Sequence, residues 1–282
     1  MRARLITLFF TWLAGLGITR RWPLHRRIIG RYRAWRGKSV PRYPVVLAHG
    51  LFGFDELSIA GQRHTYFRGI VEHLRAKGID VYTPRVDPSA NIAQRAAQLA
   101  AQVRAIPARR VNIIGHSMGG LDARYAITRL GLDAHVSSLV TIGTPHYGTP
   151  LADHGTWLGN RMGLSALLRL LGCEVGAFEN LTTAHLAAFN AEVLDKEQVF
   201  YASVVGRAAP STRMHRLMQA PRKVLDYLEG DNDGLVPVSS QVWGQVLLNV
   251  EACHLAQIGW LPSYDPAAIF DPLMRDLTLE GC

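Results

Sequence analysis

From residue 43 onward, short apolar runs rich in β-branched residues alternate with longer stretches in which apolar positions recur at helical spacing. VVLA (45–48) reads as a buried strand, VNII (111–114), VSSLVTI (136–142), VFYASVV (199–205) and QVLLNV (245–250) as further strands, and VYTP (81–84) ends another. Runs that stay apolar at successive positions fit strands covered on both faces. Residues 66–76, 91–105 and 121–130 read as helices, with Asn91 placed to cap the second. From about Pro150 to Asn190 the alternation stops: LSALLRLLG and LTTAHLAAFNAEVL are helical in pattern with no strand between them. This predicts a helical cap, at about 150–190, inserted over the sheet. A last helix is expected over residues 266–279. The order of elements predicts one α/β domain over residues 43–282, a mostly parallel sheet flanked by helices.

Residues 1–42 are different in kind. LITLFFTWLAGLGI (5–18) is an apolar run of 14 residues, short of the roughly 20 that a membrane-spanning helix needs. No small-x-small cleavage site follows it, and the dense positive charge of TRRWPLHRR opposes export. Leu24, Ile28, Tyr32 and Trp35 then recur at helical spacing among Arg26, Arg27, Arg31, Arg33 and Arg36. That pattern predicts a basic amphipathic helix on a membrane surface, or an uncleaved signal-like anchor. The competing reading is a helix packed on the body of the chain with solvated arginines. Pelleting with anionic vesicles, against a chain starting near Pro41, separates the two.

Charge sharpens the picture. The formal net charge is +9, but residues 1–42 hold 11 of the 31 Lys and Arg and none of the 22 Asp and Glu. The rest of the chain is close to neutral, which argues against nucleic acid as a partner of its body and points the N-terminus toward phospholipid headgroups. Membrane association and a secreted or periplasmic location are both compatible with this, as is the cytoplasmic face of a membrane. Cys173, Cys253 and Cys282 are too few and too scattered for a metal site or a disulfide framework and read as free or packed thiols.

Candidate chemistry begins at NIIGHSMGGLDARY (112–125), where Gly115-His116-Ser117-Met118-Gly119 fits G-x-S-x-G. Five residues alone are a weak signal. A strand before them and a helix after them supply the context of an elbow, which lifts a serine above the sheet on a strained turn. The order along an α/β-hydrolase chain is serine, acid, histidine. His254, the last histidine, follows the acidic turn EGDNDGLVP and the strand QVLLNV, which makes it the candidate general base. Asp226, Glu229, Asp231 and Asp233 are available as the acid, with Asp233 at the point where the turn returns to the fold and Asp231 its rival. For the oxyanion, Met118 N–H follows the serine, and AHGLFGFD (48–55) after the first strand suits Leu51 N–H as the second donor.

PVVLAHGLFGFD, VNIIGHSMGG, LVTIGTPHYGTPLAD, LTTAHLAAFN and NDGLVPVSS, taken in order, resemble the bacterial triacylglycerol lipases of the α/β-hydrolase superfamily, over roughly residues 43–260. The resemblance implies Ser117, Asp233 and His254 as a catalytic triad, Leu51 and Met118 as the oxyanion hole, a mobile helical lid, a lipid or other acyl-ester substrate, and, as for many secreted members, a foldase. Two departures bear on ligands. The family's usual Asp two residues after the histidine, which helps hold structural calcium, is Ala256 here, so no cofactor is expected. Val238 stands where disulfide-bearing members have a cysteine. A short-chain esterase, thioesterase or polyester depolymerase would use the same triad. A non-catalytic membrane-associated binding protein would have no need of serine, acid, histidine and oxyanion loop together.

Overall fold

The structure is a computed structural model, and it describes residues 40–51, 57–59, 62–88, 90–154, 179–208 and 216–282. The N-terminal unit Met1–Ser39 and most of the expected cap, with the leucines of LSALLRLLG and Cys173, lie outside the described residues.

Six strands form one sheet: β1 (Val45–Ala48), β4 (Val81–Tyr82), β5 (Val111–His116), β6 (Val136–Ile142), β7 (Phe200–Gly206) and β8 (Gln245–Val250). Their spatial order is β4-β1-β5-β6-β7-β8, and every pairing is parallel. A separate antiparallel pair, β2 (Leu57–Ile59) and β3 (Gln62–His64), follows β1 and was not expected from the pattern.

β1, β5 and β6 are buried at every position and β7 at all but its first, whereas β8, at the edge of the sheet, is half-buried or exposed throughout. Val45 and Leu47 pack on one side with α1 (Ile70–Ala76) and α8 (Ala267–Leu279), through Ile70, Leu74, Phe270 and Leu273. Val46 and Ala48 face the other side, with α2 (Ile92–Arg104) and α3 (Met118–Arg129), through Leu99, Val103, Ala123 and Ile127. Full burial of each such aliphatic side chain contributes about 1.5–3 kcal/mol. Asn91 caps α2 as expected: its side chain accepts from Gln94 N–H while the Gln94 side chain accepts from Asn91 N–H.

The differences from the sequence reading fall outside the sheet. The expected 66–76 helix starts at Ile70, because residues before it turn through Gly69 in the left-handed region. The long connection after β7 carries α6 (Arg216–Leu228), and a single-turn helix, α7 (Val238–Gln241), follows the acidic turn. Pro221 within α6 interrupts the usual helix signal, so the segment read as loop. Of the expected cap, α4 (Pro150–Asp153) and α5 (Thr183–Glu192) are described. Leu181, Leu186, Phe189 and Val193 pack with Leu51 and Met118, placing α5 over that end of the sheet.

Candidate active site

Ser117 stands between β5 and α3 with φ 55° and ψ −132°, the one non-glycine residue at positive φ among the described residues. L-residues avoid this region, so the turn is strained. Packing holds it there. Ser117 N–H donates to Ile142 O at 2.9 Å, and the start of α3 passes so near the end of β1 that a Cβ at Gly119 would sit 2.4 Å from Ala48 O. Ser117 is partly exposed while its neighbours His116 and Met118 are buried. Met118 opens α3, so its N–H has no intrahelical acceptor.

His254 follows β8 and Asp233 lies on the turn between α6 and α7; both are buried. Asp233 Oδ2 and His254 Nδ1 are 2.7 Å apart. A carboxylate only accepts, so Nδ1 carries the proton and the lone pair of a neutral ring is left on Nε2. Asp233 Oδ1 accepts from Leu235 N–H at 3.0 Å and Val236 N–H at 2.8 Å. Gln257 Nε2 donates to Oδ2 at 3.2 Å, and His254 N–H donates to Asp233 O at 2.9 Å. Asp231, the rival acid, points outward to Arg207. Ser117 is linked to this pair through its neighbour His116, whose ring lies 4.4 Å from that of His254. Ser117 Oγ makes no hydrogen bond to His254 in this structure, a contact that is often loose without substrate.

The loop bearing Leu51 is organised by His49, His116 and Tyr66, of which the tyrosine was not singled out in the sequence. His116 Nε2 meets His254 O at 3.2 Å, so Nε2 carries the proton and Nδ1 must accept from Tyr66 O–H at 2.6 Å. Tyr66 in turn accepts Gly50 N–H at 3.1 Å. One directional chain thus joins the Leu51 loop to the backbone of His254. Burial and the adjacent His254 hold the His116 pKa well below 6.5, keeping the ring neutral as the chain requires. A Cβ at Gly50 would lie 2.7 Å from Ser117 Cβ and 2.9 Å from the Tyr66 hydroxyl, so this loop lies directly against the serine.

His49 accepts Val86 N–H on Nε2 at 3.2 Å and donates from Nδ1 to Gly50 O at 2.9 Å. In a trans peptide this turns Leu51 N–H to the opposite side of the bond. Burial lowers the His49 pKa to about 4. Arg95, wholly buried on α2, pairs with Asp122 of α3 at 2.8 Å and donates to His49 O at 2.8 Å. His116 is the variable residue of its motif, and Tyr66 and Gln257 belong to none, so only contact in space marks them.

Ala256 packs with Ala208, Ala252 and Cys253. Among the described residues no group of three or more His, Cys, Asp or Glu side chains is placed to hold a metal ion, and no helix is long and apolar enough to cross a membrane. Cys253 and Cys282 are buried free thiols, and burial raises both pKa values.

A parallel sheet with helices on both faces, a strained serine at a strand-to-helix elbow and a buried Asp–His pair beyond the later strands define an α/β-hydrolase. A family model described as a domain of unknown function, DUF7379, matches residues 33–183. A triacylglycerol lipase of Pseudarthrobacter phenanthrenivorans is 32% identical, over 86% of this chain and 98% of that protein. Triacylglycerol lipase 2 of Saccharomyces cerevisiae is 29% identical, over 78% of this chain and 81% of its own. Among solved structures, a Bacillus licheniformis lipase in its mature form superposes with a TM-score of 0.67 at 23% identity, covering 84% of this chain and 92% of that one. A metagenomic carboxyl esterase reaches 0.72 at 21% identity, covering 86% and 78%. The chain belongs to the triacylglycerol lipase family of the α/β-hydrolase superfamily, and it is a serine ester hydrolase.

Proposed function

We propose that the chain hydrolyses long-chain acylglycerols, with Ser117 as nucleophile, His254 as general base, Asp233 as the acid that orients it, and Leu51 and Met118 N–H as oxyanion donors. The observation that carries this reading is the buried Asp233–His254 bond of 2.7 Å, on a loop tied through His116 to the serine elbow. As Ser117 Oγ attacks the ester carbonyl, its proton passes to His254 Nε2 and the carbonyl electrons move onto oxygen. Asp233 stabilises the resulting imidazolium, and the two N–H groups stabilise the oxyanion. Collapse of the intermediate breaks the ester C–O bond, and His254 returns the proton to the leaving alcohol. Water then attacks the acyl-enzyme by the same route, regenerating the serine and releasing the acid.

Long acyl chains are supported by the names of the relatives, triacylglycerol lipases, and by the apolar cluster in which α5 packs on Leu51 and Met118. In this reading the 150–190 cap is a lid over an acyl cleft, and the basic segment 1–42 brings the enzyme to an anionic surface. The test is hydrolysis of p-nitrophenyl esters from about two to about sixteen acyl carbons by wild type and Ser117→Ala. Activity on the long chains, lost in Ser117→Ala, is expected. Activity confined to short chains would replace lipase by esterase, and activity that survives in Ser117→Ala would remove the serine from the reading.

A further inference from the structure

Gln257 is fully buried on the 3₁₀ turn Ala256–Ile258, directly after His254. Its Nε2 donates to Asp233 Oδ2 at 3.2 Å and lies 3.4 Å from Ala252 O. The orientation of the amide follows from its partners: a flipped amide would set Oε1 against two acceptors. Two strand ends are hollowed out to admit this side chain. A Cβ at Gly206, the last residue of β7, would lie 1.9 Å from Gln257 Nε2. A Cβ at Gly143, just after β6, would lie 2.4 Å from Gln257 Oε1, 3.0 Å from Asp233 Oδ2 and 3.1 Å from His254 Nδ1.

We infer that Gln257 is a positioning residue for ester hydrolysis, its amide N–H holding Asp233 Oδ2 in line with His254 Nδ1; the inference rests on the triad proposed above. The Asp233 carboxylate is held by four donors in two pairs. Backbone N–H groups of Leu235 and Val236 hold Oδ1, and His254 and Gln257 hold Oδ2. With Gln257 removed, Oδ2 keeps His254 as its one donor, and only the two backbone N–H groups on Oδ1 still oppose a joint rotation of the carboxylate and the imidazole. That loosens the base in the transition state and leaves the acyl-binding surface untouched, so the loss falls on kcat and not on KM.

The test measures p-nitrophenyl butyrate hydrolysis by the full chain as wild type, Ser117→Ala, Gln257→Leu and Gln257→Glu. Gln257→Leu is expected to lose roughly tenfold to a hundredfold in kcat, part of the general acid–base contribution, with KM unchanged. Gln257→Glu fills the same slot. Protonated, it donates to Asp233; ionised, it sets a second negative charge beside that carboxylate. The ratio of its kcat to that of wild type is therefore expected to rise as pH falls, set by the titratable groups facing it: Asp233, His254, His116 and Cys253. A ratio that changes with pH reads contact between this side chain and the Asp233 carboxylate, and this variant carries the test if Gln257→Leu fails to fold. Wild-type kcat in Gln257→Leu together with a flat Gln257→Glu ratio would overturn the inference alone. An inert wild type, or a Ser117→Ala variant as active as wild type, would overturn the triad and the inference with it.

Discussion

Asp231 and Asp233 sit two residues apart on one turn in opposite environments. The Asp231 side chain is 66% exposed and pairs with Arg207, itself 48% exposed, at 3.2 Å; such surface pairs contribute about 0–1 kcal/mol. Asp233 is fully buried and its carboxylate accepts from four donors inside the fold. Asp233→Asn keeps the shape but can turn an N–H toward Nδ1, favouring the wrong tautomer, so kcat on a p-nitrophenyl ester is expected to fall by about 10⁴. Asp231→Asn should stay within about twofold of wild type, since a solvated ion pair is all it loses. A dead Asp231→Asn beside an active Asp233→Asn would reverse the assignment. In the sequence the two acids were separated by the apolar residues after Asp233 and by the family resemblance. What separates them in space is the return of the chain through Val236, whose N–H closes the turn onto Oδ1.

At the level of elements, α2 and α3 are joined beneath the Leu51 loop by the buried Arg95–Asp122 pair. Burial raises the Asp122 pKa to about 6 despite the opposing pull of Arg95. Asp122→Ala leaves the guanidinium buried without its counter-charge and is expected to cost about 3–5 kcal/mol in urea unfolding. Replacing both partners, as Arg95→Met with Asp122→Leu, should recover most of that stability, because no unpaired charge remains. Activity should not recover with it, since the bond from Arg95 to His49 O is lost too. Full activity in the double variant would mean that the loop does not depend on this tie. The helices themselves were legible from spacing; the pair between them was not. Arg95 and Asp122 lie on separate helices whose packing angle no local pattern sets.

For the whole molecule, three buried histidines, His49, His116 and His146, have pKa values lowered from 6.5 by burial, that of His49 to about 4. As pH falls through this window the unfolded chain takes up protons that the folded chain refuses, so folding stability present above 6.5 is lost toward 4. Asp122 acts in the opposite sense: raised from 3.8 to about 6, it takes up its proton first in the folded state and gains stability as pH drops through that range. Three groups outweigh one, so the urea midpoint is expected to fall from about pH 7 to about pH 5. A flat or rising midpoint would show that these rings are protonated in the folded chain.

Much of this protein is determined by local pattern. The strands β1 and β6, the capped helix α2 and the elbow around Ser117 follow from side-chain periodicity and a few turn residues, because burial on both faces demands largely apolar runs whatever the neighbours are. The tertiary structure alone decided which side chains surround the candidate triad. Parallel strand order brings the ends of β5, β6, β7 and β8 side by side. His116, Asp233, His254 and Gln257 therefore meet across up to 141 positions of chain, and Tyr66 reaches His116 from 50 residues away. Such contacts carry no local signature, since each side chain is selected by a buried partner that sequence spacing does not reveal.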